Sequence, residues 1–189
     1  MNIRPFRPAD EAAVIALWQA CGLTRPWNDP ARDIQRKLQV APELFLVGET
    51  VGKEIAGNEA IGRETVERET AREESGDGKM TGGEIVGGKM TCDGIPGGKI
   101  VGSVMAGYEG HRGWINYLAV APRFRQQGYG RQLMEAAETL LRARGCPKIN
   151  LQVRASNAEV VRFYEAIGFA VDDVVSFGKR LEHDLPPSG

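Results

Sequence analysis

The segment Arg125-Gln-Gln-Gly-Tyr-Gly130 has the composition of a loop that receives an anion. It stands just ahead of a long helical stripe, and a helix start offers several unpaired N–H groups pointing one way. Gly128 and Gly130 let the backbone approach an anion with no Cβ between them. Arg123, Arg125 and Arg131 add positive charge. The helix dipole contributes ~0.3–1 kcal/mol per well-placed anionic group. A diphosphate is the natural ligand. The loop is not Walker A, because no Gly-Lys-Ser/Thr follows. Nor is it the dinucleotide fingerprint, since the third glycine is missing and the preceding strand does not open a βαβ unit.

Other reactive side chains are sparse. Tyr164 carries a phenol, which can donate a proton to a leaving group within hydrogen-bond reach. Taken by itself it reads as a core aromatic on a stripe with Val160 and Ile167. Asn157 taken by itself is a helix cap. His111 and His183 are far apart, which argues against a histidine metal site. Cys21, Cys92 and Cys146 have no CxxC spacing, and their odd number points to a reducing cytosol rather than a disulfide framework. Cys146 has no His or acid near it in sequence and reads as a buried thiol, not a nucleophile.

The elements that must position these residues follow from periodicity. Asn2 to Arg7 reads as a first strand, and Asp10 as the N-cap of a helix with Val14, Leu17, Trp18 and Cys21 on one stripe. Asp29-Pro30 starts a second helix, with Ile34 and Leu38 buried. Leu44 to Val47 and Lys99 to Tyr108 are strands that would pair as a hairpin. Gly113 to Val120 is a fourth strand, with Trp114, Asn116, Leu118 and Val120 expected on one face. Gly130 to Arg144 is the strongest helix, closed by Gly145 and Pro147. Lys148 to Val153 is a strand, a helix closed by Gly168 follows, and Phe169 to Asp184 is expected to form one or two last strands. The order predicts an α+β fold with six or seven strands and about four helices.

Of the 189 residues, 42% are apolar and 26% charged, which suits one domain. Residues 53–98 differ from the rest. They hold 11 of the 24 glycines, no aromatics, 10 acids and 6 bases. Short echoes such as Gly78-Lys-Met-Thr and Gly88-Lys-Met-Thr recur there. Such a stretch buries little apolar surface, so it reads as a low-complexity insertion in the hairpin of the second and third strands. A single domain over 1–185, interrupted at 53–98 and followed by a tail at 186–189, is the expected organisation. No apolar run approaches the ~18 residues of a membrane span. No signal sequence is expected, and the cytoplasm is the expected location. A net charge of −1 gives no reason to expect nucleic-acid binding.

Four segments in order make the chain resemble the GNAT superfamily of acetyl-CoA-dependent N-acetyltransferases. Tyr117-Leu-Ala-Val-Ala-Pro122 is similar to its fourth strand and Arg125–Gly130 to its pyrophosphate loop. Leu151-Gln-Val-Arg154 is similar to its fifth strand, and Asn157 through Gly168-Phe169 to its asparagine-to-tyrosine motif. The resemblance covers 1–52 and 99–185. Arg25-Pro-Trp-Asn-Asp-Pro30, Gly107 to Gly113, Gly145-Cys-Pro-Lys148 and Gly178-Lys-Arg180 resemble the YpeA-like bacterial subgroup more narrowly.

The resemblance implies a GNAT-type mixed sheet, acetyl-CoA as co-substrate, no metal, and an amine of a small molecule or protein as acceptor; it leaves homodimerisation open. It implies direct attack on the thioester, with the pantetheine arm between splayed fourth and fifth strands. The backbone of Leu118, Ala119 and Val120 would hold that arm. Arg125 and the amides of Gln126, Gln127, Gly128, Tyr129, Gly130 and Arg131 would hold the diphosphate. Asn157 would touch the arm and Tyr164 would protonate the departing thiolate.

The base is open. Related ribosomal-protein acetyltransferases carry Leu-Glu-Val in the fifth strand, whereas this chain has Leu151-Gln152-Val153, and Gln152 cannot take a proton. Glu109, His111, Asp29 and water remain. Trp27 would wall the acceptor pocket, with Asp29 and Glu109 as further contacts; the other reading packs Trp27 inward and leaves Asp29 as a cap. The alternative function is a non-catalytic acyl-CoA sensor on the same fold.

Overall fold

The computed structural model describes residues 1–50, 99–182 and 184. In chain order the elements are β1 (Asn2–Pro5), α1 (Glu11–Ala20), α2 (Pro30–Leu38), β2 (Phe45–Thr50) and β3 (Lys99–Tyr108). Then come β4 (Gly113–Val120), α3 (Tyr129–Ala143), β5 (Ile149–Leu151) and α4 (Ala158–Ala166). The sheet runs β1-β2-β3-β4-β5. Its first four strands are antiparallel neighbours, and β5 joins β4 in parallel.

The sheet is covered on both faces. Leu46, Val104, Ala106 and Ile115 pack with Leu133, Ala137 and Leu141 of α3 and Tyr164 of α4. Phe45, Val47 and Met105 face the other way, onto Val14, Leu17 and Trp18 of α1 and Ile34 of α2. The alternation along β2 and β3 thus feeds two cores, as a pleated strand requires.

Helix ends follow chemistry visible in the sequence. Asp29 accepts hydrogen bonds from the N–H of Ala31 (2.9 Å) and Arg32 (3.4 Å), with Pro30 at the first turn. Gly145 (φ 74°) ends α3 and Gly168 (φ 95°) ends α4. Asp10 behaves differently from the expected cap. It closes a 3-10 turn, and its carboxylate turns back to the Arg7 N–H (2.8 Å) and the Arg4 guanidinium (2.7 Å). Arg4 also pairs with Glu49, so this ion group ties β1 and β2 to the start of α1.

Two sequence expectations are corrected. Trp114 and Asn116 do not share a face with Leu118 and Val120. Two β4 residues, Tyr117 and Leu118, oppose the single Val104 between the Ser103–Ala119 and Met105–Asn116 pairs. That bulge, with Tyr117 at φ 51°, reverses the alternation. Leu118 and Val120 therefore pack in the same core as Ile115, and Ala119 packs in the other. Second, the described sheet has five strands, not six or seven. The described stretch from Phe169 onward pairs with no strand. Its apolar residues come as neighbours (Val174, Val175) rather than alternating, and Val171, Val174, Val175, Phe177 and Leu181 are 76–92% exposed. Ion pairs hold it instead, Lys148 to Asp172 and Arg36 to Asp184, both at 2.6 Å.

Residues 53–98 lie outside the described residues. Thr50 pairs with Lys99, so the chain leaves the sheet and re-enters it at one place. Joining Gly52 to Lys99 is expected to give a folded protein with unchanged acetyl-CoA affinity. Loop closure changes by only ~0.6 kcal/mol per doubling of length. Thermal melts and a cofactor titration check this. An insoluble product, or lost binding, would show that the stretch packs on the domain or covers the site.

Candidate active site

β4 and β5 pair over only three steps, from Gly113–Ile149 to Ile115–Leu151. β5 then ends while β4 continues to Val120. The backbone from Asn116 to Val120 thus has its β3 neighbour and, among the described residues, no β5 neighbour. The parting coincides with the bulge. A tyrosine at positive φ is strained, and several contacts hold it. The Ser103 hydroxyl donates to the Tyr117 carbonyl (3.3 Å) and accepts from the Trp18 indole N–H (2.9 Å). The Tyr117 ring stacks on Trp18 at 4.0 Å, and its hydroxyl donates to Asp33 Oδ2 at 2.6 Å. Burial, then the bond to Asp33, holds that phenol well above its ordinary pKa. Nothing local in the sequence marks Trp18, Ser103, Asp33 and Tyr117 as site residues. Their partners lie 84 or more residues away in the chain for two of the three hydrogen bonds.

Beyond β4 the chain turns through Pro122–Phe124, and Gln126 (φ 61°) and Gly128 (φ 78°) take left-handed conformations. Gly128 is the N-cap of α3, and no side chain caps that helix. Its first amides are the kind of donors that hold an anion. A Cβ at Gly128 would meet nothing within 4 Å, so the loop is open there. Gly130 differs. A Cβ there would stand 3.2 Å from Phe163 Cζ, so the smallness of this glycine also admits α4.

Side chains in the loop fix its shape. Arg125 Nε donates to the Val120 carbonyl (3.3 Å), which also accepts from the Cys21 thiol (3.3 Å). Gln127 donates to the Arg123 carbonyl, and Arg131 donates to the Ala166 carbonyl of α4 at 3.0 Å. Tyr129 is buried beside Phe124. Any diphosphate contact therefore falls mainly on backbone amides.

On α4, Asn157 Oδ1 accepts from the Val160 N–H (3.3 Å), so the residue is the helix cap. Tyr164 packs edge-on against Phe163 and Phe169 in the core that contains Ile115, Leu118 and Val120. It also lines a cleft of about 1450 Å³ bounded by β5, α4 and residues 169–176. Burial pushes its phenol up to about 12.

The structure brings together Leu118 to Val120, the 125–131 loop, and α4 with Asn157 and Tyr164. Glu109 is apart from them. It sits in the β3–β4 turn, at the opposite end of β4 from the loop, and accepts from the N–H groups of His111 and Arg112. Those bonds hold its carboxyl below the usual range. Gln152 bonds Ser176. Trp27 is 53% exposed, so it is not packed inward. Arg180 donates to the Trp27 carbonyl (3.1 Å) and to Asn28 Oδ1 (3.3 Å). Among the described residues no group of His, Cys, Asp and Glu could hold a metal ion, and no helix is long and apolar enough to cross a membrane.

Residues 65–169 match the model of the Acetyltransferase (GNAT) family. An acetyltransferase of Pectobacterium atrosepticum is 40% identical over 184 residues, spanning 97% of this chain and 98% of that protein. The chain belongs to the GNAT acetyltransferase family. The family match begins inside the 53–98 stretch, which the sequence resemblance left out. The fold agrees with solved GNAT structures. Ard1 from Thermoplasma volcanium superposes with a TM-score of 0.60 at 24% identity, covering 90% of this chain and 83% of that one. Naa20 of Chaetomium thermophilum, in complex with a bisubstrate analogue, gives 0.55 at 21%, covering 90% and 72%. As a GNAT acetyltransferase the chain is an enzyme that moves an acetyl group to an acceptor.

Proposed function

We propose that this enzyme transfers the acetyl group of acetyl-CoA to a primary amine of a small molecule or protein, by direct attack and without an acyl-enzyme. The observation that carries the reading is the parting of β4 from β5 directly ahead of the uncapped, glycine-started α3. The left-handed Gly128, open on its Cβ side, fits a diphosphate lying on the helix start.

Acetyl-CoA supplies an activated thioester. The chain's own residues do the rest. Amides from Gln126 to Arg131 hold the diphosphate, with Arg125 shaping the loop. The β4 edge from Leu118 to Val120 lines the arm; the Val120 carbonyl is already engaged, so Leu118 and Ala119 carry most of that contact. Asn157 contacts the arm while capping α4. The amine nitrogen forms a bond to the acetyl carbon, the carbon–sulfur bond breaks, and the Tyr164 hydroxyl donates to the departing sulfur. Gln152 cannot take a proton, so the amine proton is assigned to water rather than to the fifth strand.

Thermal shift tests the reading first. Acetyl-CoA and free CoA are expected to stabilise the protein, by ~2.7 kcal/mol at a hundred times Kd, and ATP far less. Free thiol should then appear with acetyl-CoA and a panel of amines. Equal stabilisation by ATP, or no thiol from any amine, would overturn it.

A further inference from the structure

A second cleft, of about 710 Å³, opens between the start of α2 and the final described segment. Asn28, Asp33, Arg36, Lys179, Arg180 and Asp184 are among its lining residues. It lies one side chain away from the parting of the strands. Asp33 lines it, and Asp33 takes the hydroxyl of Tyr117 from the β4 bulge.

The charges of this cleft are uneven in placement. The Arg36 guanidinium pairs with three carboxylates, Asp33 (3.2 Å), Asp184 (2.6 Å) and Glu182 (3.4 Å). That end carries excess negative charge. Arg180 donates only to neutral oxygens, the Trp27 carbonyl and Asn28. Lys179 has no ion pair or hydrogen bond among the described residues. That end carries excess positive charge. A carboxylate has about four acceptor sites, and Asp33 uses one on each oxygen.

We propose that this cleft binds the acceptor, and that the acceptor is amphoteric: a primary amine carrying a carboxylate or phosphate on the same short skeleton. The amine lies at Asp33, beside β4 and the thioester. The anionic group lies at Lys179 and Arg180. This rests on the acetyltransferase reading and adds the class of acceptor. A polycation would meet Lys179 and Arg180 unfavourably, and an amine with no anionic group would leave them without an anionic partner.

The test uses CoA-saturated full-length protein and reads binding through tryptophan fluorescence, since the Trp27 carbonyl accepts from Arg180 of the cleft. Matched pairs are titrated: β-alanine against its amide, and aminoethyl phosphate against ethanolamine, with spermidine as a third arm. The anionic member of a pair is expected to bind roughly five- to tenfold tighter, the scale of one or two half-exposed charge pairs. A preference in the carboxylate pair alone, or in the phosphate pair alone, identifies which anion is read. Lys179→Glu, which breaks no contact of the described fold, should abolish the preference and leave CoA affinity unchanged. Equal affinity within both pairs, no binding, or tightest binding of spermidine overturns the proposal. Thiol release with the same amines separates it from the catalytic reading. Selective binding without thiol leaves the acceptor class standing and removes the catalysis; thiol from amines of every charge alike does the reverse.

Discussion

Replacing Tyr164 with phenylalanine is expected to lower kcat by roughly 10²–10³-fold, the scale of losing one preorganised donor to a developing negative charge. Acetyl-CoA affinity should change little. The substitution keeps the ring contacts to Phe163 and Phe169 and removes only the hydroxyl. That hydroxyl makes no hydrogen bond among the described residues, so the fold loses none. Burial pushes the phenol up to about 12. An ordinary thiol ionises near ~8.5. Complete proton transfer from so weak an acid to a thiolate is uphill, so Tyr164 acts by hydrogen-bonding the sulfur as charge develops there. The same shift governs stability. The folded pKa is raised, so the contribution is intact below the unfolded value near ~10. It is lost as pH rises from there through about 12, because the unfolded chain ionises first. Tyr164→Phe should therefore resist alkaline unfolding better than the parent above pH ~10, with both near equal at neutral pH. Steady-state kinetics and melts across pH check both halves. Full activity in the variant would return Tyr164 to a purely packing role.

What the sequence made legible was local. Gly145 and Pro147 mark the end of α3 because left-handed backbone and a missing N–H act where they stand. The loop at 125–130 is legible because spacing alone sets its backbone freedom. The bulge was not, because strict alternation along 113–120 is the default and nothing local signals an extra residue. Ser103 is an ordinary strand serine until the fold brings Trp18 to it from 85 residues away. The same holds for Asp33 and Tyr117, 84 residues apart, and for Arg180 and Asn28, 152 apart. Gly130 has a neighbour that its loop does not announce. Its smallness serves a phenylalanine ring on α4, a contact that only tertiary structure reveals.

That difference between the two glycines sets the second large effect. Gly128→Asp and Gly130→Asp are both expected to weaken acetyl-CoA binding, by different routes. At Gly128 a side chain has space, but φ is 78°. A non-glycine residue there costs ~1–2 kcal/mol. The free loop would relax away from this conformation, and binding would have to restore it. The added carboxylate then meets the diphosphate; two like charges 4 Å apart at a protein surface repel by ~4 kcal/mol before salt screening. Together these predict a loss of roughly 10⁴-fold before salt screening, part of which is recovered at high salt. At Gly130 the helical backbone is relaxed, and the obstacle is Phe163, 3.2 Å from the new Cβ. Even Gly130→Ala should push α4 outward, carrying Asn157 and Tyr164 with it. Affinity and kcat should then fall together, with no recovery in salt. Phe163→Leu should restore much of the loss in Gly130→Ala and none of it in Gly128→Asp. Titration of each single and double variant at two salt concentrations reads all of this. Unchanged affinity in both aspartate variants would remove the diphosphate from this loop. Failure of Phe163→Leu to restore Gly130→Ala would mean that the first turn of α3 does not set the position of α4.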